Sequence, residues 1–456
     1  MPDSHSIVHL QKLADAKDFL DPRFDPVIRK DLKIRYHLHP RTWEFVMGFL
    51  ALEKYKMLES NRRGISFGSG REPLIFAVAT RVEFLCVTDF YGESSVWDTA
   101  ATGDAHSFVL GVAPIDFDSS RIEVRSMDMR EVAYPDGSFD FAYSISAFEH
   151  IGVDADFLSH LREVRRVLKP GGVYVLTTEL RIGGNTFRVE GNYAFALSHL
   201  FDLFRQVGFR CESIFDARLD DRNENEGRAI LETRHHDVMN SLIETLIVRE
   251  FGGVMSAPAL FILRPEPFEE VEVIGLEETA TWLRQRLDYR IGVGYSDWTS
   301  LNPYGLFPNS HSPYCDLWAE MSPPKYPLIF GTSYQYFGNG VMEIRVILVP
   351  SPDSASQADL ASQGRMLLCV NSWSLEDVTD VTTVFHVYVD IHSPASLTSS
   401  PSEIDEISAK RARFQIDVEN NRSYSVFAAL ASGEVLLSEV SVMVRRIAPA
   451  AGNAYA

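Results

Sequence analysis

Three short stretches of this 456-residue chain carry side chains and turns suited to chemistry. The first is Phe67-Gly68-Ser69-Gly70-Arg71-Glu72-Pro73, with two glycines one residue apart between an apolar strand and a helical pattern. Glycine lets backbone approach a ligand where a Cβ would clash, and the N–H groups opening the next helix point at such a ligand. A nucleotide-like group suits that turn, although tight strand-to-helix turns also form without one. The second is Asp89, which ends the strand pattern Glu83-Phe84-Leu85-Cys86-Val87-Thr88-Asp89-Phe90. A carboxylate at the end of the second strand of an open α/β sheet can accept both hydroxyls of a ribose. The third holds proton acceptors: Glu149 and His150 past a later strand, and Glu179 past the next. Each could take a proton from a reacting hydroxyl. His150 serves equally well as a structural residue at its strand end, and Asp140 reads as support for the fold.

Strands and helices alternate around these residues. Arg41 to Leu58 reads as an amphipathic helix, with Trp43, Val46, Met47 and Leu50 on one face and Pro40 at its start. That face is expected to pack on the sheet, with a lid over the ligand as the other reading. Strands follow at Ile122–Ser126, at Phe139–Ser146 and at Val173–Glu179, and a helix runs from Phe157 to the terminator Lys169-Pro170-Gly171-Gly172. A helix striped by Leu197, Leu200, Phe201 and Phe204 ends at Gly208, and strands Phe209–Ile214 and Ala257–Arg264 close the pattern. This alternation predicts a doubly wound, mostly parallel sheet.

The order and spacing of Gly68-Ser69-Gly70, Asp89, Asp128-Met129, Phe139 to His150 and Leu168 to Gly172 resemble a class I S-adenosylmethionine-dependent methyltransferase over roughly residues 60–265. Arg41-Thr42-Trp43-Glu44 upstream of the turn adds a likeness to a bacterial subgroup from surface-glycan and secondary-metabolite clusters. The resemblance implies a seven-stranded Rossmann-like sheet and S-adenosylmethionine as cofactor. It assigns to that cofactor Phe67, Gly68, Ser69, Gly70, Glu72, Asp89, Phe90, Asp128, Met129 and Ser146. In it the glycine turn faces the methionine end, Asp89 the ribose, Asp128 the adenine amine and Met129 the ring, with Ser144 to Ser146 as the floor. This chain departs from the pattern twice: Ser66 stands where an acid is usual, and Glu72 where a third glycine is usual. Ser66 cannot hold the cofactor's ammonium by charge, which leaves Glu72 or a water for that role.

The expected divisions are a helical segment at 1–59, the methyltransferase domain at 60–265, a linker at 266–326 and a β domain at 327–447. The stretch 216–253 reads as a charged insertion that could shape an acceptor pocket. Its Arg234-His235-His236-Asp237 reads as solvated rather than as a metal site, so no metal is expected. Five aromatics in the linker (Trp298, Tyr304, Phe307, Tyr314 and Trp318) could stack on sugar rings or wedge two domains together. From about residue 327 the pattern turns to period two in seven short strands, which predicts an all-β sandwich for glycan binding or for homo-oligomer assembly.

A formal net charge of −20 argues against nucleic acid or an anionic membrane as main partner. The four cysteines lie far apart without metal-ligand spacing and read as free thiols. With no signal-peptide pattern and no apolar run of spanning length, a cytoplasmic location is expected. Three functions stay open: O-methylation of a sugar or other small polar acceptor, methylation of a natural product or lipid-linked precursor with the sandwich for oligomerisation, or a degenerate binding or scaffold protein.

Overall fold

The computed structural model describes residues 6–93, 100–114, 117–189, 192–222, 225, 228–229, 245–250, 254–283, 299–301, 328–331, 335–336, 340–350, 364–374, 381–391, 410–419, 422–432 and 437–448. The chain divides into two compact units, residues 1–249 with 255–283 and residues 250–254 with 284–456.

The first unit is built on one mixed sheet. Its strands are β1 (Lys12–Leu13), β2 (Arg63–Phe67), β3 (Phe84–Asp89), β4 (Ile122–Ser126), β5 (Phe139–Ile145) and β6 (Leu168–Arg181). They continue with β9 (Ile214–Asp216), β10 (Arg228–Ala229), β11 (Val248–Glu250), β12 (Val254–Leu263) and β13 (Glu272–Ile274), and a separate hairpin joins β7 (Phe187–Val189) to β8 (Asn192–Ala194). The spatial order is β13-β9-β1-β12-β6-β5-β2-β3-β4, with β10 and β11 off the β12 side. The strands β4, β3, β2, β5 and β6 are mutually parallel, and β12 runs antiparallel to β6. Strand order therefore reverses between β2 and β5, the place where open α/β sheets leave a crevice for ligands.

Parallel strands need covered faces, and β5 is buried at all seven of its positions. Alternation sends Phe141, Tyr143 and Ile145 to one layer and Ala142, with Tyr174 and Leu176 of β6, to the other. The helices are α1 (Phe24–Pro26), α2 (Pro40–Lys54), α3 (Pro73–Ala79), α4 (Ala105–Leu110), α5 (Asp154–Val167) and α6 (Leu197–Val207). The first layer is capped by α2 and α3 through Trp43, Met47, Leu50 and Leu74. The second is capped by α5 and α6 through Phe157, Leu161, Leu200 and Phe204. Trp43 is fully buried, and its indole N–H donates to Asp18 at 2.7 Å, so the amphipathic stripe of α2 packs as its spacing predicts.

Several boundaries differ from the sequence reading. Among the described residues the sheet has eleven strands rather than seven, because β1 threads between β12 and β9 and the short β10, β11 and β13 extend it. Residues 12 and 13 thus belong to the sheet, within a segment whose residues alone suggest only helix and turns. α2 ends at Lys54, short of Leu58. α5 stops at Val167, because Leu168 is already extended, and Pro170-Gly171 lies inside β6 with Gly171 at φ +77°. Proline and a left-handed glycine fit there at a break in register between β5 and β6. The strand expected at Phe209–Ile214 is displaced to Ile214–Asp216, with Arg210 making only an isolated bridge to Arg264.

The second unit holds β14 (Thr299–Leu301), β15 (Leu328–Gly331), β16 (Gln335–Tyr336), β17 (Gly340–Pro350), β18 (Gly364–Ser374), β19 (Val381–Ile391), β20 (Lys410–Val418), β21 (Arg422–Ser432) and β22 (Leu437–Ala448). Two antiparallel sheets result, β14-β22-β17-β20 and β15-β21-β18-β19, with β16 also on β21. Met342, Ile344, Val346 and Leu348 are buried at every second position of β17, as are Tyr424, Val426 and Ala428 of β21. Phe385 of β19 and Phe414 of β20 stack at 4.0 Å between centroids. From residue 327 onward the described residues form eight strands, β15 to β22, where the period-two pattern suggests seven. The aromatic-rich loop of the linker lies outside the described residues, as does most of the 216–253 insertion. Among the described residues no helix is long and apolar enough to cross a membrane.

Candidate functional site

The glycine turn leaves β2 at the switch between β2 and β5. Gly68 and Gly70 are left-handed, at φ +61° and +49°. A Cβ on Gly68 would stand 2.3 Å from the Cβ of Ala147 and 3.7 Å from Cε of Met129. The turn is therefore pressed against the residues that follow β5 and β4, so three strand ends converge there. Asp89, ending β3, closes the arrangement: its Oδ2 accepts from the Gly70 N–H at 2.7 Å and its Oδ1 from the Phe90 N–H at 2.6 Å. Burial raises the Asp89 carboxyl, while these two donors pull the other way. Phe90 is 63 % exposed, a flat apolar ring directly after the carboxylate.

Two polar atoms of the turn are buried without a hydrogen-bond partner, Oγ of Ser69 and Oε2 of Glu72. Such atoms are costly unless something meets them, and here they flank Gly70. Burial holds the Glu72 carboxyl well above the ordinary carboxylate range; Arg41 opposes this, and Glu44 and Asp89 add to it. These orphans and the bare glycine cradle fit a ligand that brings a cation and a hydrogen-bond donor or acceptor, as the amino-acid end of S-adenosylmethionine does.

On the opposite wall, β5 is followed by Ser146, a non-glycine residue held at φ +43°. That conformation costs about 1–2 kcal/mol and is fixed from several sides. The Ser146 N–H donates to O and Oγ1 of Thr177, both at 3.1 Å, and its hydroxyl donates to Glu44. Thr177 donates to the same Glu44 oxygen at 2.8 Å. Arg41 Nη1 donates to the Ile145 carbonyl at 3.1 Å and stands 3.5 Å from Glu44 Oε2. The Glu44 carboxyl is 1 % exposed and is raised by burial, against the pull of Arg41 and the two hydroxyls. Burial would push the Arg41 guanidinium down, but Glu44, Glu72, Glu149 and Glu179 around it outweigh that and hold it charged.

Of the proton acceptors, Glu149 and His150 follow β5, whereas Glu179 lies within β6, opposite Pro258 of β12, rather than past its strand. Glu149 is 1 % exposed, and its Oε2 accepts from the Thr178 hydroxyl at 2.8 Å. Its Oε1 stands 4.0 Å from Nε2 of His150, whose side chain is 24 % exposed. Glu179 anchors the segment after the β7–β8 hairpin, its carbonyl accepting from the Phe195 N–H at 2.9 Å. Asp140 bonds Lys169 at 2.8 Å and the Arg63 N–H at 3.0 Å, the supporting role expected of it.

Past β4, both oxygens of Asp128 are engaged by Arg130, at 2.7 Å from Nη2 and 3.0 Å from Nε, and Arg130 also reaches Asp156 at 2.8 Å. Met129 is 8 % exposed, and its carbonyl meets Nδ1 of His160 at 2.9 Å, while Nε2 of His160 meets the Tyr174 hydroxyl at 2.9 Å. The Met129 carbonyl can only accept, which places the proton on Nδ1 and makes Nε2 the acceptor. Burial lowers the His160 pKa to about 4. The unfolded state then binds the proton first, so the stability His160 confers is complete above pH 6.5 and declines as pH falls toward 4. We expect about 2.5 kcal/mol of loss between pH 7 and 4.5 from this residue. His160→Gln should flatten that part of the pH dependence of the urea midpoint, and an unchanged slope would refute the assignment.

The structure thus gathers Gly68, Ser69, Gly70, Glu72, Asp89, Met129 and Ser146 around one crevice, with Glu149 and His150 just past the β5 end. Phe67 is different: its ring is fully buried, edge-on to His160 at 5.1 Å, so only its backbone serves the turn. Ser66 is also fully buried within β2 and offers the crevice nothing. Arg41, Glu44 and Thr177 belong to the site although their residue types alone do not mark them. The signals in the sequence are the Arg41-Thr42-Trp43-Glu44 likeness and the presence of an acid, Glu44, beside Trp43 inside an otherwise apolar helix face. Among the described residues no three His, Cys, Asp or Glu side chains group to hold a metal ion, and Arg234 to Asp237 lie outside those residues.

Comparison with known proteins gives the following. Residues 95–176 match the family described as methyltransferase domain, from beyond β3 into β6. A curated protein of Mycolicibacterium smegmatis, described as "probable S-adenosylmethionine-dependent methyltransferase", is 29 % identical over 143 residues, which is 30 % of this chain and 50 % of that protein. The chain therefore spans about half the length of that relative. Among solved structures, a candidate sarcosine dimethylglycine methyltransferase from Galdieria sulphuraria is 16 % identical, covering 49 % of this chain and 86 % of its own, at a TM-score of 0.35. The [4+2]-cyclase SpnF is 16 % identical, covering 57 % of this chain and 99 % of its own, at a TM-score of 0.34. The family match lies within the first unit, and the curated relative is itself described as a probable methyltransferase.

Proposed function

We propose that this protein transfers a methyl group from S-adenosylmethionine to a hydroxyl of a sugar or other small polar acceptor. The observation that carries the cofactor half is the left-handed Gly68–Gly70 turn at the β2/β5 switch, closed by Asp89 and holding a buried, unpartnered Glu72 oxygen. When bound, S-adenosylmethionine supplies a methyl group on a sulfonium, which passes to the acceptor oxygen while the C–S bonding pair returns to sulfur. Asp89 would accept the ribose hydroxyls and Glu72 the ammonium, with Met129 and Phe90 beside the adenine. The surrounding carboxylates favour a cationic guest over a neutral one.

The acceptor half rests on Glu149. Thr178 fixes one of its oxygens, and the other is turned toward His150. A hydroxyl presented between them would give its proton to Glu149, with His150 or Glu179 as the route to solvent. The two sheets of the second unit are read as a sandwich that binds acceptor or assembles copies of the chain, in a cytoplasmic protein. The test is an acceptor screen with radiolabelled cofactor over sugars, sugar nucleotides and small hydroxylated natural products. Label on a sugar hydroxyl, lost in Glu149→Gln, supports the reading; label on a nitrogen or carbon acceptor alone overturns its acceptor half.

A further inference from the structure

The amino-acid end of the cofactor presents a problem this chain must solve differently, because Ser66 is buried in β2 and carries no charge. We propose that Arg41 on α2 and Glu72 after the glycine turn together form the clamp for that end, Arg41 taking the carboxylate and Glu72 the ammonium. The inference rests on the methyltransferase reading above and assigns one of its subsites.

The two groups are independently prepared for a zwitterion. Arg41 is fixed by a single amino group, Nη1, through the Ile145 carbonyl at 3.1 Å and Glu44 at 3.5 Å. Its side chain is still 45 % exposed, so the remaining donors of the planar fork are available in the geometry that matches a carboxylate. Glu72 is not paired with it, since Oε2 of Glu72 is buried and has no hydrogen-bond partner. The two come from neighbouring walls of one crevice. Arg41 is docked on the last residue of β5, and Glu72 lies two residues past Gly70 on the turn that leaves β2. These strands are in parallel register, with Phe67 opposite Ser144. The contact between Gly68 and Ala147 shows how close the walls stand.

Charge agrees with geometry. Arg41 stands in the field of Glu44, Glu72, Glu149 and Glu179, so a positive point is set among four carboxyl groups there. A ligand carrying one carboxylate and an excess of positive charge meets that pattern. Glu44 acts as a positioning residue, holding Arg41 on one side and Ser146 with Thr177 on the other. In this arrangement α2 both packs on the sheet and reads the cofactor, which joins the two readings left open for it.

The test compares two ligands by calorimetry on the full chain: S-adenosylhomocysteine, and 5′-methylthioadenosine, which keeps the adenosine and thioether but lacks the amino-acid end. The wild type should prefer S-adenosylhomocysteine by about tenfold or more, and Arg41→Gln and Glu72→Gln should each remove about tenfold of its affinity. Both variants should bind 5′-methylthioadenosine within about threefold of the wild type, and this also reports that they fold. Arg41→Lys should recover part of the loss, because it restores charge without the planar fork. Equal weakening of both ligands, or unchanged affinity for S-adenosylhomocysteine, would overturn the clamp. A wild type that binds neither ligand would instead overturn the methyltransferase reading on which it rests.

Discussion

Asp89→Ala is expected to weaken S-adenosylhomocysteine binding by about 100-fold, with the folded state retained. An ionised carboxylate offers about four acceptor sites, and two are occupied by the Gly70 and Phe90 N–H groups. The remaining two match the vicinal hydroxyls of a ribose. Hydrogen bonds to a charged partner contribute about 1.5–3 kcal/mol each, so losing both, less what water regains, comes to about 3 kcal/mol. Asp89→Asn keeps acceptor capacity on one oxygen and should lose only about tenfold. The order wild type, Asn, Ala in calorimetric affinity is the prediction. Equal affinity for all three would remove Asp89 from the site.

Gly68→Ala is expected to destabilise the first unit by about 3 kcal/mol and to abolish cofactor binding. Two costs add. An L-residue at φ +61° incurs about 1–2 kcal/mol, and the new methyl would lie 2.3 Å from the Cβ of Ala147, an overlap whose relief costs about 1–3 kcal/mol. Relief must move either the turn or the residues after β5, and each carries a wall of the crevice. A denaturation midpoint shifted by that amount, together with loss of ligand heat, checks it. Ala147→Gly in the same chain should recover part of the stability by removing the obstructing methyl, and failure of that rescue would show that the close approach at Gly68 is not the cause.

How much of this was legible in the residues follows from the range of the interactions involved. The glycine turn, Asp89 and the strand ends after them are set by local backbone chemistry, and their spacing exposes them. The period-two pattern from residue 327 onward is local in the same sense. Glu44 and Arg41 are not, because Glu44 depends on Ser146 and Thr177 and Arg41 on the Ile145 carbonyl, each over a hundred positions away in sequence. Residue type marks Glu44 only as an interruption in an apolar face. β1 is not legible because two residues, Lys12 and Leu13, carry too little pattern, and their place is fixed by pairing with Leu260 and Ala259. At the α5–β6 junction Pro170-Gly171-Gly172 signals an interruption, and only the neighbouring strand decides whether it follows a helix or opens a strand. Asp128 shows a third case, since the resemblance assigns it to the adenine amine, but Arg130 engages both its oxygens.

The stability of the crevice also sets a cost that a ligand should relieve. Glu72 and Glu44 both have folded carboxyls raised by burial, so the fold is penalised as pH rises above the ordinary carboxylate range. The groups facing Glu72 include Arg41 and Glu44 from α2, Asp89 from β3, Tyr143 from β5 and Tyr91. Glu72→Gln should therefore raise the melting temperature of the ligand-free protein at neutral pH while weakening S-adenosylhomocysteine, the trade expected where a site carries strain for function. A variant that loses both stability and affinity would show that Glu72 supports the fold instead.

The central claim is that S-adenosylmethionine binds at the β2/β5 switch. Ultraviolet crosslinking of the full chain with methyl-labelled cofactor, followed by peptide mapping, tests it most directly. Label should fall in the peptides that carry Gly68 to Phe90 and Asp128 to His150, and excess unlabelled S-adenosylhomocysteine should remove it. No displaceable label, or label confined to peptides of residues 328–448, would contradict the account.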